Sequence, residues 1–392
     1  MSALDKFVLP LAGVACLLAV TTGCLTPRAA EQASPSAQEV SLGRPVPPHL
    51  GQRIDEYVSA FGRDRGPSYA FSGYLAVARD GRWVYGRAFG KANYQRDTLA
   101  DADTRFRIGS LTKQFTAVAV MQLVEREVLT LADPIGRYVA GLGEEVAAVT
   151  LHHLLRHSSG IASYTDDEAL MARDREPHAV SEVLASFAQL PLHFRPGEQF
   201  EYSNSNYFLL GLALEKASGL DYEEYLVQYV LGPAGMHRTS TIDAPEAPNT
   251  ATGYVRDPAG DGLLADGPFD MTMPFSAGAL RSTANDLLAW DRAWTNHTLL
   301  SAPSQALMLD VDPKLRHANG KNYGYGLGIA QRDGFEVVYH AGDIHGFSSY
   351  LARIPKEGWM VVALCNSSAA NAATVGDAVV SMITQVVAVA PQ

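Results

Sequence analysis

The chain is predicted to be an α+β protein: an antiparallel sheet of five or more strands, flanked by helices and interrupted by an inserted all-helical lobe. Three features of the sequence predict this. Strand-like runs fall in two clusters at opposite ends of the chain, which suggests one sheet assembled from both ends. Between them, from about 148 to 232, nearly every signal is helical. With 392 residues, 47% hydrophobic and 19% charged, the chain has the material for a substantial core.

The folded part is expected at 51–392, opening with a helix near 50–62. A hairpin follows, in which Asp80-Gly81 separates "YLAVAR" from "RWVYGRAF". An Asp-Gly pair between β-rich runs is a strong signal for a two-residue turn. The stretch "RFRIGSLTKQFTAV", residues 105–118, reads as a strand-like lead-in that stops at Gly109-Ser110 and runs into a helix ending near 128. Phe115, Val118, Met121 and Val124 stand there at helical spacing.

The helical lobe is placed at about 136–275, on "TLHHLLRH", "SEVLASFAQL", "YFLLGLALEKASG" and "YEEYLVQYVL". Gly219 closes the third of these helices. Residues 240–275 read as irregular, and a helix is expected at 283–295. Three strands follow, "FEVVYHAG", "GFSSYLARIP" and "WMVVALC", and the helix "ATVGDAVVSMITQVV" ends the fold. The segments 160–180 and 240–275 are expected to border a cleft between sheet and lobe, where a ligand site is anticipated.

The first 24 residues are set apart from the fold. Lys6 precedes the apolar run "FVLPLAGVACLLAV", short for a membrane span and shaped like a signal-peptide core. It ends in "TTGC", which resembles a bacterial lipoprotein signal and implies lipid attachment at Cys24. Residues 25–50, rich in proline, serine and alanine, read as a flexible tether. The expectation is an exported protein of the periplasm or cell envelope, touching a membrane only through that anchor. With Cys16 lost and Cys24 lipidated, Cys365 stands alone in an apolar run, so no disulfide framework is available. A net charge of −11 without basic stretches argues against nucleic acid as a partner.

The chemistry centres on Ser110. Only seven of the 31 basic residues are lysines, and one of them, Lys113, follows this serine by three. On one helix that spacing lets the two side chains meet. A serine hydroxyl needs a nearby base to become a nucleophile. Buried lysine can lose its proton, whereas arginine cannot. The helix start adds N–H groups and partial positive charge that favour an oxyanion. A lone Ser-x-x-Lys equally describes a capping serine and a surface lysine, so the downstream residues decide. Tyr202-Ser203-Asn204 lies in a loop before an apolar helix. A phenol beside a neutral lysine can relay protons, and an amide can hold a substrate carbonyl or amide. His340-Ala341-Gly342-Asp343 ends a strand, where the glycine would let a substrate backbone approach. The N–H groups of Asp343 and Ser110 would together form an oxyanion hole.

This ordered set resembles the serine β-lactamase and penicillin-binding-protein superfamily, in its class C branch. That branch also holds D-alanyl-D-alanine carboxypeptidases, D-aminopeptidases and esterases. The resemblance spans about residues 55–390 and includes "FRIGSLTKQFTA", "LHHLLRHSSGI", "PGEQFEYSNSNYFLLG", "GPAGMHRTS" and "SAGALRSTANDLLAW". It implies that Ser110 is the acylated nucleophile, Lys113 its base and Tyr202 the proton relay to the leaving group and from the deacylating water. Asn204 would contact the substrate amide, and His340, Gly342 and Asp343 would border the substrate from the edge strand. No cofactor or metal is implied. The chain departs from the family at His340-Ala341-Gly342, where β-lactamases of this branch have Lys-Thr-Gly and peptidase-type members often have His-Thr-Gly. A fixed positive charge and a hydroxyl facing the substrate carboxylate are thereby lost. Of the two function classes open, an exported serine hydrolase fits better than a non-catalytic envelope module, because Ser110, Lys113, Tyr202 and Asn204 are all present. The expected substrate is a small molecule or peptide: a D-amino-acid peptide, a small ester, or a β-lactam that acylates the enzyme. Within the hydrolase class, a β-lactamase of the class C type is the alternative.

His152, His153 and His157 invite a zinc reading, but no His-Glu-x-x-His occurs and packing explains them better. Gly-x-Ser-x-Gly is also absent, which disfavours a Ser-His-Asp hydrolase.

Overall fold

A seven-stranded antiparallel sheet forms the centre of the protein in the computed structural model, which describes residues 48–241, 248–315 and 322–389. The signal segment and Cys24 lie outside the described residues, as does most of the tether. The first helix, α1, spans Pro48–Ala60, so its first three residues fall inside the expected tether.

Strand β1 (Gly73–Arg79) turns tightly into β2 (Arg82–Phe89). Asp80 and Gly81 have φ of 49° and 68°, the left-handed pair that a hairpin turn of the primed type demands. Strand β3 (Phe106–Arg107) leads to the nucleophile turn, and helix α2 spans Thr112–Glu125. Glu127, at φ 58°, ends the helical run slightly earlier than expected. Helix α2 is buried from Thr112 to Leu123, so it carries little amphipathic signal: it is the protein's central helix.

Short helices dominate residues 144–234, and the longest of them spans Asn204–Ser218. Gly219, at φ 74°, caps it as expected. The stretch read as irregular contains a small hairpin, β4 (Tyr254–Arg256) with β5 (Leu263–Ala265), so the expected all-helical lobe includes β structure. A two-residue strand β6 (Arg281–Ser282) pairs with β3, and the helix Ala284–Thr295 follows.

The edge strand β7 (Asn322–Tyr323) and its neighbour β8 (Gly328–Arg332) were not anticipated, and they make β9, expected at the edge of the sheet, an interior strand. Their glycines and short length hide the period-two pattern. Strands β9 (Phe335–Ile344), β10 (Phe347–Ile354) and β11 (Trp359–Cys365) coincide with the three expected runs. The sheet order β2-β1-β11-β10-β9-β8-β7 joins both ends of the chain, as the two clusters suggested.

Residues of β10 and β11 are buried throughout, because both faces of the sheet are covered. On one face Leu75, Val77, Ala352 and Val361 pack against α1 and the final helix Ala372–Val389. On the other, Ala76, Leu351, Met360 and Val362 join the core built around α2. Cys365 is buried in the first of these layers. Among the described residues no helix is long and apolar enough to cross a membrane.

Candidate active site

Ser110 sits in a single 3₁₀ turn, Gly109–Leu111, that runs directly into α2. The expectation of one continuous α-helix is thus slightly wrong, with no loss to the geometry: in a 3₁₀ turn residues three apart lie one above the other. Gly109 has φ 48° and packs on strand β9, where a Cβ would lie 3.2 Å from the Asp343 nitrogen. The turn that presents Ser110 is therefore moulded against the third motif.

Lys113 projects from the first turn of α2 and is 0% exposed. Its Nζ lies 3.0 Å from Ser110 Oγ, 2.8 Å from Asn204 Oδ1 and 2.8 Å from the Ala277 carbonyl oxygen. The carbonyl and the amide oxygen only accept hydrogen bonds, so each takes an N–H from the amine. In the neutral amine, the position facing Ser110 is then a lone pair, ready to accept the hydroxyl proton. Burial drives the lysine toward that state, holding its pKa well below the ordinary value. The Nζ also stands over the faces of Tyr202 and Tyr207, 4.8 and 5.7 Å from the ring centroids.

Tyr202 is half-buried beside Ser110. Burial raises its pKa, and hydrogen bonding with the Ser110 hydroxyl works against that rise. Its loop is braced by His157, whose ring stacks 4.2 Å from that of Tyr202. His157 Nδ1 accepts from the Ser203 N–H at 3.2 Å and faces the Asn206 amide nitrogen at 3.1 Å. Burial, with Lys113 and His340 adding to it, keeps His157 neutral. His152 Nδ1 meets the Tyr325 hydroxyl at 2.6 Å, and His153 Nδ1 lies 3.0 Å from the hydroxyl of Thr150, which caps the short helix Leu151–Leu155. All three histidines thus have packing and hydrogen-bonding roles.

Asn204 begins the helix Asn204–Ser218, and its Nδ2 reaches Thr165 Oγ1 at 3.4 Å. Ser110, Lys113, Tyr202 and Asn204, taken from two distant parts of the sequence, are brought together.

His340, Gly342 and Asp343 approach from β9. The His340 Nδ1 lies 2.5 Å from the Ala341 carbonyl oxygen and its Nε2 2.9 Å from the Tyr323 hydroxyl. Burial, with Lys113 adding repulsion, pushes its pKa down to about 3. The anion-binding cation that protonated His340 would provide is therefore not available at neutral pH. Gly342 has a packing role that the sequence did not announce. A Cβ there would lie 2.1 Å from the Ile108 carbonyl oxygen and 2.9 Å from the Ser110 nitrogen. The protein's own backbone needs this glycine, where β9 meets the nucleophile turn. Ser349 completes the junction by donating to the Ile108 carbonyl at 2.8 Å.

Two cavities meet at Ser110, Asp343 and Asn371. One, of about 520 Å³, runs past Tyr202, Tyr323 and His340 toward Asp377. The other, of about 540 Å³, is lined by Tyr164, Met171, Phe269, Met273 and Phe347. Both segments expected to border the cleft contribute to the second. They are tied to the β9–β10 turn by His345, whose Nε2 lies 2.6 Å from Asp174 and whose ring stacks 4.3 Å from that of Phe269.

Sequence reasoning missed Tyr323 and the carbonyl of Ala277. Tyr323 belongs to "NYGYG", where the glycines between tyrosines were the available signal. Gly326, at φ 71°, lets this hairpin rest on α2, since a Cβ would lie 2.8 Å from the Lys113 carbonyl oxygen.

Comparison with known proteins places the chain among relatives. Penicillin-binding protein 4* of Bacillus subtilis (strain 168) is 27% identical over 305 residues, covering 74% of this chain and 66% of that protein. Protein flp of Staphylococcus aureus (strain MW2) is 26% identical, with 59% of its length covered. The chain thus spans less than two thirds of the length of these curated relatives. Among solved structures, the octameric penicillin-binding protein homologue from Pyrococcus abyssi superposes with a TM-score of 0.75 at 28% identity. That match covers 85% of this chain and 77% of the other. The penicillin-binding protein from Bacillus halodurans gives 0.72 at 28% identity, covering 83% of this chain and 99% of that one. The beta-lactamase family model matches residues 54–381, and the chain belongs to the beta-lactamase family.

Proposed function

We propose that the protein is an exported serine hydrolase that forms an acyl-enzyme at Ser110 and cleaves an amide or ester bond. The observation that carries this reading is the buried Lys113 amine, held by Asn204 and Ala277 with its remaining valence toward Ser110 Oγ.

In the proposed reaction, Ser110 Oγ attacks the substrate carbonyl carbon while its proton passes to Lys113 Nζ. The tetrahedral oxyanion is held by the N–H groups of Ser110 and Asp343. Tyr202 delivers a proton to the leaving amine or alcohol as the carbon–heteroatom bond breaks, leaving an ester on Ser110. Water, its proton taken through Tyr202 and Lys113, then releases the acid and restores the hydroxyl. Asn204 steers the acyl amide and anchors Lys113 at the same time.

The substrate proposed is a D-amino-acid peptide or a small ester, with β-lactams as acylating ligands. Uncharged His340 is a poor receptor for a free carboxylate, which argues against efficient β-lactamase action and against strict carboxypeptidase specificity. Cavities of about 520 and 540 Å³ on either side of Ser110 suit small molecules or short peptides. Export and lipid attachment at Cys24 rest on the N-terminal sequence.

The test is an intact-mass time course with a penicillin, followed alongside loss of free drug and hydrolysis of a chromogenic ester. An adduct of the drug's mass mapping to Ser110, or ester turnover that Ser110→Ala abolishes, supports the proposal. Turnover surviving in Ser110→Ala, or neither adduct nor turnover with any D-amino acid amide or ester, overturns it.

A further inference from the structure

Asp343 stands where the two cavities of the active site meet, in the wall of both beside Ser110. Its N–H belongs to the oxyanion hole, but its carboxylate has had no role so far. Side chains alternate along a strand. Gly342 faces the nucleophile turn, where its Cβ would lie 2.9 Å from the Ser110 nitrogen, so the side chain of Asp343 stands on the other face of β9. Tyr339 and Ala341 share that face, and both line the first cavity together with Asp343. The carboxylate therefore opens into that cavity. It is exposed, and among the described residues its side chain has no hydrogen bond or ion pair.

Nothing at the site offsets this charge. Among the described residues no lysine or arginine lines either cavity. Tyrosines aside, the other ionisable groups of the two walls are His340, Asp377 and His345. Burial keeps His340 neutral. Asp377 is paired with Arg332, and His345 lies between Asp174 and Asp266, at 2.6 and 3.8 Å. Lys113, behind Ser110, is held toward its neutral form by burial. The charge of Asp343 reaches the reacting groups: burial is the main cause of the raised Tyr202 pKa, and Asp343 adds to it. In a chain of net charge −11, the potential at this junction is negative. Such a potential draws in a cationic ligand group and repels a carboxylate.

We infer that Asp343 is a specificity-determining residue, selecting amides or esters that carry a protonated amine next to the scissile carbonyl and turning away those that carry a carboxylate there. The inference rests on the reading of Ser110 as nucleophile and narrows its substrate class. Because both cavities share Asp343, an amine one carbon from the carbonyl comes near its carboxylate whichever cavity the acyl group enters.

The experiment compares kcat/KM for the p-nitroanilides and p-nitrophenyl esters of D-alanine, N-acetyl-D-alanine and N-succinyl-D-alanine. At pH 7 these acyl groups are mainly cationic, neutral and anionic in turn. The wild type is expected to prefer them in that order, and added salt should narrow the spread, because an exposed charge is screened. Asp343→Asn keeps the backbone N–H, and in it the preference for D-alanine over N-acetyl-D-alanine is expected to fall about tenfold. Asp343→Glu should retain the preference. A wild type that favours the neutral or anionic probes, or a preference unchanged in folded Asp343→Asn, overturns the inference and leaves Ser110 as the nucleophile. If Asp343→Asn does not fold, a wild-type preference that salt does not move overturns it in the same way. Cleavage of none of these probes by the wild type overturns it together with the reading of Ser110.

Discussion

The Tyr323 hydroxyl lies 2.9 Å from His340 Nε2, and this contact fixes how the third motif behaves. A carbonyl oxygen only accepts, so the 2.5 Å contact with Ala341 requires the proton on His340 Nδ1. Nε2 is then the acceptor for the tyrosine hydroxyl, and the neutral ring is fully engaged. Protonation would reverse the Tyr323 bond, with Nε2–H donating to the phenol oxygen, and set a cation beside Lys113.

Acid stability follows from this pairing. The folded pKa of His340 is pushed down to about 3, whereas an unfolded histidine titrates near 6.5. Between those values the unfolded chain binds the extra proton, so stability is lost as pH falls from about 6.5 toward 3. Each pH unit well inside the window costs about 1.4 kcal/mol for this residue. His157, held neutral by burial, acts in the same direction. Urea unfolding at pH 7, 5.5 and 4.5 is expected to show a pH slope smaller by about one proton in His340→Gln. An unchanged slope would mean that His340 is not buried neutral.

Gly342→Ala is expected to destabilise the fold by several kcal/mol. The new methyl would lie 2.1 Å from the Ile108 carbonyl oxygen, and backbone on both sides must move to relieve it. The same movement displaces the Ser110 N–H, so acylation should fall with stability. Denaturant melts and burst-phase labelling check both; a methyl accommodated within about 1 kcal/mol would show that β9 and the nucleophile turn slide freely.

Much of this site is legible in the sequence because its residues are separated by short, fixed spacings. Ser110 and Lys113 are three apart, as are His340 and Asp343, and Tyr202 and Asn204 are two apart. The sheet was readable because β9, β10 and β11 are long runs rich in aromatic and aliphatic residues. What escaped was relational. Nothing local in Ala277 announces that its carbonyl will hold the lysine, and β7 is two residues long. The packing role of Gly342 escaped for the same reason: a glycine declares close approach, but its partners within the chain are chosen by the tertiary fold. Burial of His340 likewise depends on Tyr323 arriving from an edge strand with no periodic signal.

Tyr202→Phe separates proton relay from packing. The ring stacks on His157 and lies under the Lys113 amine, and phenylalanine preserves both contacts. Only the hydroxyl beside Ser110 is lost. Steady-state hydrolysis of an amide substrate is expected to fall by about 10²–10⁴-fold, the usual range for one general acid–base group. An activated ester, whose leaving group needs little protonation, should lose less in acylation than the amide does. Equal losses for the two substrates would place the role of Tyr202 outside proton transfer.

Lys113→Arg tests the base itself. Arginine supplies N–H donors for Asn204 and Ala277 and a fixed positive charge, because it does not deprotonate in a protein. If Lys113 only positions Ser110 or attracts the substrate, the variant retains appreciable activity. If Lys113 takes the serine proton, kcat/KM is expected to fall by about 10³-fold or more while non-covalent ligand binding persists. The pH profile supplies a second readout. Activity should rise with pH as Lys113 loses its proton, and because burial lowers its pKa this limb must lie below the ordinary lysine value of about 10.4. In the variant the limb should disappear together with the rate. A wild-type limb at or above pH 10, or the same limb in folded Lys113→Arg, would remove Lys113 from the role of base and return the question to what else stands within reach of Ser110.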